Sequence, residues 1–124
     1  MGENGNHLSR KQIAFDLKQD LLKRHYPKPK AEVNPQYHTK AYRDMKSFFK
    51  GQNWEHRQGS VYVSNDLLTY FNISDILDKI AIKMPWLHLC AGEIDVTNVG
   101  EQHSLKEELA SAMVILSNKE PDMP

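Results

Sequence analysis

Apolar and polar residues alternate along residues 11–17. Ile13, Phe15 and Leu17 fall on one side of an extended chain and Gln12, Ala14 and Asp16 on the other. A period of two predicts a strand. Ala14 is small and apolar, so both faces can be covered, as in a central strand, and Asp16 ends the apolar run. Residues 19–25, with Leu21 and Leu22, predict one or two helical turns. Pro27, Pro29 and Pro35 then forbid regular structure, so residues 26–36 read as a loop long enough to be either functional or disordered. In residues 37–50 the spacing changes: Tyr37, Ala41, Met45, Phe48 and Phe49 repeat at helical intervals, and Gly51 offers the stop.

Residues 54–64 are rich in β formers, with Gly59-Ser60 in their middle as either a tight hairpin or a bulge. A helix is predicted over 66–84, with caps from Ser64, Asn65 and Asp66 and an apolar face of Leu67, Leu68, Phe71, Ile76, Leu77, Ile80 and Met84. Asn72-Ile73-Ser74 interrupts that face, so the segment reads as one helix or as two short ones, and Pro85 ends it. Leu87, Leu89 and Ala91 alternate, and Ile94 and Val96 alternate in the opposite phase. The slip near Gly92 implies a bulge or two successive strands. Ser104-Leu105-Lys106-Glu107 is a capping box opening a last helix over 104–118 with a stripe of Leu105, Leu109, Met113 and Leu116. The order is that of an α+β, ferredoxin-like β-α-β-β-α-β sandwich with an added C-terminal helix. Residues 1–10 and 119–124 read as disordered or frayed tails around a single domain, 11–118.

With 124 residues, 40% of them apolar, one modest core is expected. No run of 18 apolar residues exists, so no membrane span is expected. The first ten residues lack the apolar region of a secretory signal. Cys90 is alone, which excludes an internal disulfide and fits a reducing compartment, so the expected location is the cytoplasm. Its bland reading is a small core residue and its sharper one a thiol nucleophile. The zero net charge hides an asymmetry: residues 1–50 carry eleven Lys or Arg against five acids, and residues 51–124 five against eleven. A basic half suggests a polyanion-binding face or self-complementary association, unless it is simply solvated surface.

Hydrolysing a bond in a bound polyanion needs a proton acceptor, a proton donor and stabilisation of developing negative charge. Asp16, at the mouth of the core, is a candidate base or metal ligand, or else a turn residue opening the next segment. Gly59 lets a phosphate approach the backbone. Ser60 can donate to a phosphate oxygen and Gln58 can touch a base edge, or both only shape the hairpin. Arg57, Arg43, Lys46 and Lys40 are candidate contacts to a polyanion backbone, with Lys40 and Arg43 reading also as plain helix surface. Tyr42 or Tyr62 can stack on an unpaired base, or pack in the core. His38 and His56 are the best placed of six histidines for a metal-free mechanism; His25, His88 and His103 read as surface or sheet residues. No His-x₃-His or Cys-x₂-Cys spacing points to zinc.

Ile13-Ala14-Phe15-Asp16-Leu17, Tyr42-Arg43-Asp44, Gln58-Gly59-Ser60-Val61-Tyr62-Val63 and Pro85-Trp86, in that order, resemble the virulence-associated protein D family over residues 11–97. Members of that family are similar in fold to the small ferredoxin-like nuclease subunit of CRISPR systems, a homodimer whose two sheets pack face to face. The resemblance implies an endoribonuclease cutting mRNA, often as the toxin paired with an antitoxin protein. It also implies that Asp16 lies near the dimer two-fold beside its copy, at a position tied to a divalent metal such as Mg²⁺ in the CRISPR relative. On that reading Asp16, Ser60 and Gln58 carry the chemistry, while Arg57, Arg43, Lys46, Tyr42 and Gly59 hold RNA. The competing reading is an inert ferredoxin-like dimer that binds nucleic acid or a partner protein. The long 26–36 loop and the residues after Thr97 depart from the shorter members of the family.

Overall fold

The structure, a computed structural model, describes residues 7–28, 34–100 and 105–118. Strand β1 spans Arg10–Leu17 and helix α1 Gln19–His25. A 3₁₀ turn, Tyr37–Thr39, leads into α2, Lys40–Gly51. The hairpin β2 (Trp54–Gln58) and β3 (Val61–Ser64) precedes α3, Tyr70–Lys83. A single turn, α4 (Leu87–Cys90), delivers the chain to β4, Ala91–Val99, and α5 covers Lys106–Asn118. The strands form one antiparallel sheet in the order β2-β3-β1-β4. The first helical crossover, β1 to β2, skips a position that β3 then fills, and the second, β3 to β4, passes over β1, which is the ferredoxin-like β-α-β-β-α-β plan. The α+β class and the added C-terminal helix agree with the sequence reading.

β1 is central because both of its edges are paired, and its alternation separates the two faces of the sheet. Ile13 and Phe15 are buried on the helical side. There Phe49 of α2 stacks on Tyr62 at 4.3 Å between centroids and meets Phe15 and Trp54 at 5.9 and 5.5 Å. Truncating a buried aromatic of this kind costs about 3–5 kcal/mol. α3 contributes Ile73, Ile76 and Ile80, and α4 adds Leu87 and Cys90, three residues apart on one side of a turn. The opposite face carries Arg10, Gln12, Ala14 and Asp16 from β1, with their register partners Val99, Thr97, Asp95 and Glu93 from β4. No helix of the β-α-β-β-α-β plan lies on this second, polar face, which we call the open face.

Several local expectations are corrected. The helix expected over 66–84 begins at Tyr70, because Thr69 caps it: its hydroxyl accepts from Asn72 N–H and the Asn72 side chain accepts from Thr69 N–H, at 3.3 and 2.9 Å. Asn72 therefore starts the helix rather than interrupting it. Ser64 is a strand residue whose hydroxyl accepts from Lys11 N–H and donates to the Asp66 carbonyl. Leu67, Phe71 and Leu77, expected inside, are exposed. Gly51 is helical, and the left-handed residue beyond α2 is Asn53 (φ 69°). Residues 87–90 are helical, not extended. The slip near Gly92 is a β-bulge: the register jumps from Asp16 opposite Glu93 to Leu17 opposite Ala91. The segment at Gly59-Ser60 is a hairpin, with an irregularity between His56 and Gln58. Ordered structure begins before residue 11, since Ser9 and Leu68 exchange backbone hydrogen bonds of 3.1 and 2.8 Å. The stripe expected on α5 is solvent-facing: Leu105, Leu109, Met113 and Leu116 are all exposed. The Ser104 cap, residues 1–6, residues 29–33 of the proline loop and residues 119–124 lie outside the described residues.

Candidate functional site

Asp16 sits at one end of the open face, at the last turn of pleat before β1 closes. Its register partner there is Glu93, and its carboxylate receives Lys18 Nζ at 3.0 Å. Both side chains of that pair are about half exposed, 56% for Asp16 and 50% for Lys18. Gly92 makes room for the pair: a Cβ there would lie 2.8 Å from Lys18 Cε and 3.3 Å from Asp16 Oδ2. A side chain at the bulge would therefore displace the exposed end of Lys18 and crowd the Asp16 carboxylate.

The hairpin turn reaches the same end of the sheet. Phe15 N–H donates to Ser60 C=O at 3.0 Å, one residue before Asp16. Gly59 adopts φ +47°, open to solvent on its Cβ side. His56 Nε2 lies 2.8 Å from Gly59 C=O; a carbonyl only accepts, so Nε2 carries the proton and the imidazole is committed to holding the turn. Gln58 and Arg57 line a shallow depression of about 360 Å³ on the sheet with Gln12 and Val61. Gln58 pairs with Val61, which in turn pairs with Ala14, so Gln58 shares the open face with Asp16. Arg57 is held by Glu55 at 2.9 Å, and Arg10 approaches the same carboxylate at 4.0 Å.

The remaining expected RNA contacts do not converge there. Lys46 lies in a cleft beside Lys50, Trp54 and His56, at the outer flank of β2. Arg43 and Tyr42 lie in the first turns of α2. Arg43 is near the Tyr26 phenol, which donates to Asp44 at 2.5 Å and whose pKa is raised, chiefly by burial and then by that carboxylate. Tyr62 is core: it is buried, and burial pushes its phenol up to about 12. Cys90 is also buried and its thiol pushed up by burial, which favours the core reading over a nucleophile. The hydroxyl of Tyr42 accepts from Gln19 Nε2 at 3.0 Å, and Gln19 begins α1, just past β1.

Four residues that matter here escaped the sequence reading or were read differently. Lys18 and Gln19 carry no motif. Gly92 was legible only as a phase slip. His38 was expected near the start of a helix as a candidate catalyst, but it is buried, with Nε2 3.1 Å from Gln19 Oε1 and Nδ1 without a hydrogen-bond partner among the described residues.

Among the described residues no group of three His, Cys, Asp or Glu side chains converges. A self-contained protein cage for a cation is therefore not built within them. Mg²⁺, however, is often held by one or two carboxylates plus substrate phosphates, a role that fits an exposed Asp16. Among the described residues no helix is long and apolar enough to cross a membrane. No protein-family model matches the chain, and no curated protein is significantly similar to it.

Proposed function

We propose that this protein is a cytoplasmic endoribonuclease of the virulence-associated protein D type, acting as a homodimer and serving as the toxin of a toxin–antitoxin pair. The observation that carries the reading is the meeting of two separate parts of the resemblance. The acid of Ile13-Ala14-Phe15-Asp16-Leu17 and the turn of Gln58-Gly59-Ser60 reach one end of one sheet, linked through Phe15 N–H and Ser60 C=O. Asp16 is half exposed and, among the described residues, is ion-paired with Lys18, which leaves carboxylate lone pairs open to a proton or a cation. The exposed backbone of Gly59 and the hydroxyl of Ser60 offer an approach for a phosphate. In this reading Asp16 takes the proton from the attacking 2′-hydroxyl or water as its oxygen bonds to phosphorus, the bond from phosphorus to the leaving oxygen breaks and that oxygen takes a proton from solvent, and Ser60 and Gln58 orient the RNA strand. A Mg²⁺ ion, where bound, would be held by Asp16 and its copy across the two-fold and would neutralise phosphate charge.

The test incubates purified protein with structured and unstructured RNA, with and without EDTA. Wild type is expected to cleave and Asp16→Asn to lose activity on the order of 10²–10⁴-fold, the usual contribution of a positioned acid or base. Equal cleavage by both removes Asp16 from the mechanism. No cleavage by either, together with a salt-sensitive gel shift, replaces the enzyme by the binding reading. One observation favours that alternative: Arg57, Gln58 and Gln12 line an open depression that can contact a nucleic-acid strand without any chemistry.

A further inference from the structure

Helix α5 buries none of its residues, and Leu105 just before it is exposed as well. Yet the segment is built largely of apolar side chains. Leu105, Leu109, Met113, Val114, Ile115 and Leu116 are each between 54% and 67% exposed. The helix has 13 residues, and isolated helices shorter than about 12–15 residues are marginal in water even when rich in alanine. The β-branched Val114 and Ile115 lower its intrinsic propensity further. Its stability therefore depends on burying that apolar surface against something.

The pattern on the helix points to what covers it. Leu105, Leu109, Ala112 and Leu116 are separated by four, three and four residues, the spacing of a coiled-coil seam that packs on another helix. Val114 lies roughly half a turn away from Leu105, at about 3.6 residues per turn, so the helix is apolar on opposite sides. One docking surface, such as the groove between α3 and β4 lined by Leu77, Ile80, Met84 and Ile94, covers one side only. A second copy of the chain brings both an uncovered α5 and a folded body. The area suits such a pair. The six large side chains leave roughly 650 Å² per copy, or about 1,300 Å² in two copies, which is the size of a stable protein–protein contact. The charges on α5 disfavour an anionic lipid surface, since Glu107 and Glu108 outweigh Lys106. Both acids lie in the first turn, so antiparallel pairing sets the two acidic turns at opposite ends.

We propose that α5 is a self-association helix. It pairs antiparallel with α5 of a second copy through Leu105, Leu109, Ala112 and Leu116, while Val114 and Ile115 face the body of that copy. This contact goes beyond the ribonuclease reading and does not rest on it. The pair across Asp16 joins two open faces, whereas α5 joins copies through a helix added to the β-α-β-β-α-β plan.

The experiment measures the mass of the full chain by sedimentation velocity at micromolar concentration, with circular dichroism on the same samples. Wild type should sediment as an even number of copies. Leu109→Glu/Leu116→Glu changes two exposed positions and leaves the core untouched. It should halve that mass and lose the helical signal of α5, while the near-ultraviolet signal of the buried Trp54 and Trp86 stays unchanged. Nitroxide labels on Ser117→Cys read the orientation, since Cys90 is buried and takes no label. Antiparallel pairing about the seam's midpoint separates the two labelled positions by about 20 Å or more, at about 1.5 Å per residue. Parallel pairing would hold them near the interaxial distance of about 8–10 Å. A Leu109→Glu/Leu116→Glu protein of wild-type mass overturns the inference and leaves the pair across Asp16 as the source of the dimer. The short label distance also overturns it. A monomeric wild type removes both contacts, and α5-dependent binding of that monomer to phosphatidylcholine vesicles would give the helix to a lipid surface instead.

Discussion

The two ends of β1 each carry a charged residue, and they treat it in opposite ways. Lys11, near the start, is wholly buried. Its ammonium donates to Asn98 Oδ1 at 2.5 Å, Ser9 Oγ at 2.9 Å and the His7 carbonyl at 3.4 Å, and it lies 4.4 Å from the centre of the Tyr70 ring. Every proton has an acceptor and the remaining side is an aromatic face, so the desolvated charge is compensated. Asp16, near the finish, is half exposed with one lysine beside it. The first charge ties the start of β1 to the end of β4 and to α3. The second does nothing for the fold that water would not do as well. A burial-and-partner comparison within one strand thus separates a structural charge from a chemical candidate, although both look alike as polar interruptions of an apolar pattern.

The contrast can be broken at either end. Lys11→Ala removes a long buried side chain and should cost about 2–4 kcal/mol of unfolding free energy, through cavity formation and lost hydrogen bonds. Lys11→Met, which keeps the stem, should recover much of that, because Asn98 Oδ1 still accepts from Ser9 Oγ at 3.0 Å. Denaturant melts of the two variants read the difference. If Lys11→Ala proves as stable as wild type, the buried network is not structural. At the other end, Gly59→Ala should cost about 1–2 kcal/mol for forcing a Cβ into the left-handed region, with no clash to add, since nothing lies within 4 Å of that Cβ. Lys18→Ala should change stability by less than about 0.5 kcal/mol, as expected for a solvated ion pair. A larger loss would make the Asp16–Lys18 pair a structural clasp like that of Lys11.

A further effect is confined to alkali. Burial raises the Tyr62 phenol from 10.0 to about 12, so the folded protein holds that proton more tightly than the unfolded chain. This contribution is fully present below pH 10 and is lost as pH rises from 10 toward 12. Tyr62→Phe should flatten the stability profile in that window and leave it unchanged at neutral pH. A profile equally steep in the variant would assign the alkaline loss to other groups.

The strand and its end were legible because alternation and its interruption are local signals. The bulge at Gly92 was legible for the same reason: Leu89 and Ala91 lie out of phase with Ile94 and Val96. What failed was the reading of residues whose role is decided by distant neighbours. Leu87, Leu89 and Ala91 alternate like a strand, yet Leu87 and Cys90 are the pair that packs. Phe71 and Leu77 have core composition, but α3 turns Ile73, Ile76 and Ile80 inward instead. Thr69 with Asn72 is a capping box that lacks the usual Glu or Gln, so its signature was missed. Lys11 gave no sign of burial, since its acceptors come from Ser9 and from Asn98 across the sheet. The candidate site was half legible. Asp16 and Gln58-Gly59-Ser60 stood out, while Lys18, Gln19 and His38 became visible only through contacts made in three dimensions.

The most direct test of the division between the two ends is a paired measurement on the same preparations of wild type, Asp16→Asn and Lys11→Ala: thermal midpoint and RNA cleavage rate below every midpoint. The account predicts that Asp16→Asn melts with wild type but does not cleave, whereas Lys11→Ala melts early and, while folded, cleaves at the wild-type rate. An Asp16→Asn protein that cleaves normally, or that melts as early as Lys11→Ala, would contradict it.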